Sequence, residues 1–285
     1  MAQMARRPRW TAHAAGLQAV WRGTLAVAVA ATLLFVPPAA LAQVDVGKPS
    51  SLRNLVPADQ LEGSAAQQYG DLKRQAAAKG ALAPDNHPQV RRLRDIAAKI
   101  IPFAGKWNPR AGHWRWEVNL IGSRQINAFC MPGGKIAFYT GILDTLRLND
   151  DEVAMVMGHE IAHALREHAR ERIAKSELTN LGASLLGEFI GGGKYTGAFQ
   201  LGGSLLSLKF SRDDESEADV VGMELAARAG FDPRAGVSLW QKMATASRGA
   251  PPQWLSTHPS GNNRIQEIER HLPQVMPLYQ QAAKR

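Results

Sequence analysis

The chain has 285 residues, 45% hydrophobic and 21% charged, with a formal net charge of +9 and one cysteine, Cys130. That length allows one large domain or two small ones, and a lone thiol excludes an internal disulfide framework. The basic surplus comes without a basic, aromatic-interleaved stripe, so it gives no argument for a nucleic-acid partner.

The first 42 residues stand apart. Arg6, Arg7, Arg9 and Arg22 form a basic leader with no acidic residue. An apolar run of 13 residues follows from Thr24 to Val36, and Pro37-Pro38 and Ala40-Leu41-Ala42 close the stretch. A basic start, a short apolar core and a small-x-small exit describe a cleavable signal peptide, residues 1–42. The run falls short of the ~20 apolar residues that span a bilayer, and the exit lacks the cysteine of a lipoprotein. Removing it leaves 243 residues (285 − 42) of formal charge +5 (9 − 4), enough for a sizeable single core.

Residues 43–84, rich in Gln, Ala, Ser and Gly, read as a lead-in segment with a helical stretch from Gly63 to Lys79. The main domain, 85–285, opens at Asn86-His87-Pro88, where Val90, Leu93, Ile96, Ala97 and Ile100 recur at helical spacing. Trp114, Trp116, Val118 and Leu120 then alternate with polar residues, as a half-buried strand does. Two further runs, Gln125 to Met131 and Lys135 to Thr140, are joined by Pro132-Gly133-Gly134. Together they predict a small antiparallel sheet with a glycine turn, followed by a short helix over Ile142 to Leu148.

Asn149 with Glu152 three residues on is a capping box, and nothing in the sequence breaks the helix from there to about Lys175. Leu178 to Leu208, with Gly191-Gly192-Gly193 at its centre, reads either as a hairpin of small residues or as an apolar lid with peripheral membrane contact. Further helices are expected over Ser211 to Ala229, from Asp232-Pro233 through Met243, and over Asn263 to Leu272, with a polar tail after it. The expected fold is mainly α with a small antiparallel sheet, an α+β arrangement.

The functional signal lies in the capped helix, at His159-Glu160-Ile161-Ala162-His163. Two histidines four residues apart are separated by roughly 40° around the helix and about 6 Å along it, so both rings reach one ion. Glu160 then faces the ion's open side as general base toward a water, the H-E-x-x-H arrangement of a zinc peptidase. A metzincin would need a glycine at 166 and a histidine at 169, where this chain has Arg166 and Ala169. The third ligand is therefore sought on a later helix. Glu215 and Asp219 form the one E-x-x-x-D pair of the chain. Glu215 suits the ion, while Asp219 on the same face holds a ligand imidazole by its other nitrogen. Glu217, roughly 200° round from Glu215, cannot share the site. By the same arithmetic His168, nine residues after His159, lies on the far side of the helix and is assigned to packing or a surface hydrogen bond.

His159-Glu160-x-x-His163 followed by Ser211-Arg212-x-x-Glu215-x-x-Ala218-Asp219 resembles the HtpX and CAAX-prenyl-endopeptidase family of zinc metallopeptidases, the gluzincins. Asn127-Ala128-Phe129 with Pro132-Gly133-Gly134 and Tyr139-Thr140-Gly141 is similar to that family's substrate-side strand, and Thr257-His258-Pro259 with Arg264 to its C-terminal motif. The likeness covers about 86–272 and is nearest to the BepA-like periplasmic branch, without that branch's C-terminal repeat domain.

The resemblance implies a zincin-like domain with one Zn2+ on His159, His163 and Glu215, and Glu160 as base. It implies that His258 caps the zinc or, with Arg264, assists the oxyanion. It also implies that Asn127, Ala128, Phe129, Cys130 and Met131 take substrate as an added strand. The expected protein is a periplasmic endopeptidase acting on unfolded or misassembled envelope proteins, with the outer-membrane protein assembly machinery as a candidate partner. The alternative is a chaperone-like or latent metal-binding protein.

Overall fold

The computed structural model describes residues 43–181, 205–247, 252–259 and 263–284. The expected signal peptide, 1–42, and most of the expected hairpin or lid, at 182–204, lie outside the described residues. In order come a 3-10 turn at Ser51–Leu55, α1 (Ala58–Ala78), α2 (Pro88–Ile100), two further 3-10 turns, β1 (Glu117–Ile121), β2 (Ala128–Met131) and β3 (Lys135–Tyr139). Then follow α3 (Thr140–Leu146), α4 (Asp150–Leu165), α5 (His168–Leu181), a 3-10 turn at Leu205–Ser207, α6 (Arg212–Arg228), α7 (Ala235–Ala246), α8 (Gln253–Thr257) and α9 (Arg264–Ala282). The α+β class is as the sequence predicts. Among the described residues no helix is long and apolar enough to cross a membrane.

The sheet is mixed, where antiparallel pairing was expected. Its order is β1-β3-β2, with β1 parallel to β3 and only β2 antiparallel to it. The chain leaves β1 at Gly122, crosses over, and enters β2 on the far side of β3, so β3 becomes the central strand. The β2–β3 hairpin closes as predicted on Gly133 and Gly134, both at positive φ (82° and 78°), a conformation glycine adopts without steric penalty. Tyr69 of α1 seals one face beside Phe129, Met131 and Tyr139, and its hydroxyl donates to the Ile136 carbonyl at 2.5 Å.

Two boundaries depart from expectation. The long capped helix ends at Leu165, not near Lys175: Glu167 sits in the left-handed region (φ 60°) and α5 starts afresh at His168. No local residue signals this stop. It is fixed from a distance, by the Asn108 side-chain amide on the Leu165 carbonyl at 3.0 Å and by Arg53 on the Glu167 carboxylate, with Arg170 adding a local pair. The expected polar tail is instead helical: α9 runs on through Pro273 and Pro277. Burial of Val275 and Leu278 there outweighs the ladder bonds that the two prolines remove.

The site is positioned by the crossing of α4 over α6. Both helices start on capping boxes, Asn149 with Glu152 and Ser211 with Asp214. They meet at two glycines. A Cβ on Gly158 would lie 2.6 Å from the Gly222 carbonyl oxygen, and one on Gly222 would lie 2.6 Å from the His159 nitrogen. Only backbone-to-backbone contact fits there, with Gly158 directly before His159 and Gly222 one turn after Asp219.

Candidate metal centre

The crossing brings His159 and His163 of α4 opposite Glu215 of α6, and His258, just past α8, joins them. All four are buried, and one ligand atom from each lies within 4.8 Å of the others. The two histidine Nε2 atoms are 3.0 Å apart, with the Glu215 oxygens 3.6 Å from His159 Nε2 and 3.4 Å from His163 Nε2. Spacing on one helix thus delivers both imidazoles to one point, as expected, and the E-x-x-x-D helix supplies the carboxylate. Asp219 accepts from His159 Nδ1 at 2.9 Å.

Arg264 is buried behind this layer. Its guanidinium donates to both Asp219 oxygens at 2.6 Å and to Glu215, and it stacks over the Trp240 ring at 4.0 Å. It faces the metal-side carboxylates and lines a different opening from the β2 cleft. Glu160 is held at Oε1 by the Trp254 indole N–H at 2.6 Å and accepts the Cys130 backbone N–H. His258 Nε2 lies 3.6 Å from Glu160 Oε1.

Asn127 to Met131 flank the site. Strand β2 is the sheet edge on the side of α4. The Asn127 carbonyl bonds β3 through Tyr139 N, while Cys130 turns its N–H out to Glu160. By alternation Ala128 and Cys130 present their backbone groups to the open edge. The cleft between this edge, Leu205, Leu206, Leu208, Phe210 and His258 holds about 50 Å³, little more than a water or two.

These donors suit a metal ion. Three imidazoles and a carboxylate are the borderline ligand set of zinc. Glu215 Oε1 and His258 Nε2 are buried without a hydrogen-bond partner, which is costly unless a cation meets them. Asp219 can only accept, so His159 carries its proton on Nδ1 and turns the Nε2 lone pair inward. Burial drives the His159, His163 and His258 imidazoles well below the usual histidine range, leaving them neutral and able to ligate. Burial also pushes Glu160 well above the usual carboxylate range and lifts Glu215 to about 7.

Sequence reasoning missed three groups. Trp254 carries no motif signal. Phe210 stacks on the His163 ring at 4.0 Å and is equally silent in sequence. His168 had the right chemistry, but a straight helix placed it on the wrong side. In the structure its Nδ1 lies 2.8 Å from His163 Nδ1.

Two imidazoles and a base on one helix, answered by a carboxylate from a second, define a zincin-like metallopeptidase domain. The model of Peptidase family M48 matches residues 87–272, and the chain belongs to that family of zinc metallopeptidases. It is 32% identical over 217 residues to the mitochondrial metalloendopeptidase OMA1 of Saccharomyces cerevisiae, covering 70% of this chain and 61% of that protein. The OMA1 of Schizosaccharomyces pombe is 34% identical over 196 residues (68% and 56%). The beta-barrel assembly-enhancing protease of Yersinia pestis is 30% identical over 171 residues (55% and 35%). The match thus spans about three fifths of the length of the two yeast relatives.

These relatives overturn the periplasmic localisation, because the better matches are mitochondrial by name. The leader does not rescue it, since an arginine-bearing, acid-free stretch is also the composition of an organelle-import leader. The family stands, whereas the BepA-like branch is one relative among several and not the nearest of these three.

Proposed function

We propose that the chain is a zinc-dependent endopeptidase that cleaves unfolded or misassembled proteins. The observation that carries this reading is the buried quartet His159, His163, Glu215 and His258, with the Glu160 carboxylate beside it and an open strand edge alongside. In this reading His159, His163 and Glu215 hold Zn2+, which when bound polarises the peptide carbonyl and acidifies water. Glu160 takes the proton from the attacking water and returns it to the departing amine. Its environment suits both halves of that task, because burial raises its proton affinity while the Trp254 and Cys130 N–H groups fix its oxygens.

Asp219 and Arg264 act behind the ligands. Asp219 fixes the His159 ring and Arg264 holds Asp219 and Glu215 in place, so Arg264 is a positioning residue here and not an oxyanion donor. Substrate joins β2 as an extra strand on the outward carbonyls of Ala128 and Cys130, with Asn127, Phe129 and Met131 shaping the pockets. Main-chain pairing of this kind favours chains already unfolded over any particular sequence. The relative named for beta-barrel assembly suggests membrane proteins caught during assembly as one such class.

A second reading has its own support. His258 sits in the cluster and the cleft holds about 50 Å³, the features of a latent metal-binding protein. The test is hydrolysis of an unfolded protein by the purified chain, with and without a chelator, beside Glu160→Gln. Cleavage that survives the substitution would end the peptidase reading, and no cleavage by zinc-loaded wild type would favour the latent one.

A further inference from the structure

His168 is buried to 2% exposure and sits where a straight helix would not put it. The reversal at Glu167 brings it back. A non-glycine residue in the left-handed region is uncommon, and Glu167 is kept there by Arg53 at 3.0 Å and by Arg170. Restarting the helix after this residue swings the His168 ring behind His163, Nδ1 to Nδ1 at 2.8 Å. On its other side His168 Nε2 has no hydrogen-bond partner and lies 3.6 Å from Glu217 Oε2. Glu217 is in turn paired with Arg166.

Only one proton can lie between two facing nitrogens. If His168 donated it, the proton of neutral His163 would move to Nε2, which lies 3.0 Å from His159 Nε2 and points into the ligand cluster. We infer that His168 is the positioning residue of His163: its Nδ1 accepts the Nδ1–H of His163, and its own Nε2–H faces Glu217. The tautomers then agree along the whole chain of groups, and His163 turns its lone pair toward the ion. The two helix ligands are thus oriented by different means, His159 by a carboxylate and His163 by a neutral imidazole. The left-handed turn at Glu167 is the backbone device that makes the second contact. This inference rests on the reading of His163 as a zinc ligand.

The test measures zinc affinity of the full chain by competition with a chelating dye, beside hydrolysis of an unfolded protein. His168→Leu fills the space without an acceptor, and its affinity should fall about 10–100-fold, as loss of an outer partner of a ligand does. His168→Asn returns an acceptor oxygen near the Nδ1 position and should recover to within about threefold of wild type. Wild-type affinity in His168→Leu would overturn the inference, as would an Asn variant that binds no better than Leu. Nitrogen NMR of the zinc-loaded wild type needs no variant. It should find His163 protonated at Nδ1 and His168 bare at Nδ1, and a proton on His168 Nδ1 would overturn the inference equally. His163→Ala separates the two claims: unchanged zinc affinity there would remove the ligand reading itself.

Discussion

Alanine at Gly222 tests whether the α4–α6 crossing sets the metal geometry. The added Cβ would lie 2.6 Å from the His159 nitrogen, where ordinary contact begins at 3.4 Å. Because the neighbour is helix backbone, no rotamer change relieves the clash, and the helices must part by about 0.8 Å. Gly222 is one turn from Asp219 and two from Glu215, so the displacement passes directly to the carboxylate that meets the histidine pair. Functional groups must be held to about 0.5 Å, and a misplacement of ~1 Å costs about a hundredfold in rate.

Stability moves less. Overpacking costs about 1–3 kcal/mol, partly offset by the ~1 kcal/mol by which alanine exceeds glycine in a helix. The expected outcome is a loss of about a hundredfold in kcat/KM and a weakened zinc affinity, with only a small fall in melting temperature. Gly63→Ala in α1, which meets nothing within 4 Å, is the control and should stabilise by about 0.5–1 kcal/mol. Wild-type activity and zinc affinity in Gly222→Ala would refute the claim that this contact fixes the ligands.

Four other outcomes follow from the same geometry. Glu160→Gln should lower hydrolysis by about 10²–10⁴-fold while zinc content, read by atomic absorption, stays near one per chain. A chelator should abolish cleavage and lower the melting temperature, and added zinc should restore both; full activity in chelator would contradict the metal reading. His258→Ala should raise the rate on an unfolded protein by about tenfold, the gain when a competent state populated at about 10% becomes dominant, and an unchanged rate would make His258 a bystander. Burial pushes the Glu152 carboxyl up, but the Lys242 ammonium, the Ser238 hydroxyl and the Asn149 backbone N–H hold it net below its ordinary value of 4.5. Its stabilising contribution is therefore complete above pH 4.5 and is lost as pH falls through the lower folded value. Urea unfolding of Glu152→Gln should accordingly show a flatter loss of stability from pH 5 to 3 than wild type, and parallel curves would count against the pairing.

The histidine pair was legible because its spacing is local: four residues on one helix fix two rings relative to each other. Glu215 was legible as chemistry, an acid four before another acid, though its meeting with the histidines depends on Gly158 and Gly222. The two glycines stood in plain view inside helical patterns, the usual sign of close backbone approach, but nothing in sequence pairs one with the other. The stop after Leu165 was not legible, because Asn108 and Arg53 act on it across 57 and 114 positions. With the stop went His168. The parallel β1–β3 pairing was missed for a related reason, since alternation fixes which face of a strand is buried but not which neighbour it chooses. The composition of residues 1–42 does not separate export from organelle import.

Charge explains why these residues belong to one centre. Among the described residues the buried shell holds three carboxylates, Glu160, Glu215 and Asp219, and one guanidinium, Arg264. Burial keeps the three clustered imidazoles neutral, so with every acid ionised the shell carries −2 (−3 + 1). Of the neighbouring acids, Glu217 is matched by Arg166 and Glu224 by Arg228, while Asp214 is held in the Ser211 capping box at the start of α6. Two uncompensated buried charges cost several kcal/mol each, which is why burial forces Glu160 and Glu215 toward protonation. A divalent cation closes the sum to zero and lets both carboxylates ionise. The pressure that raises Glu160 is therefore also a preference of the centre for an ion of charge +2.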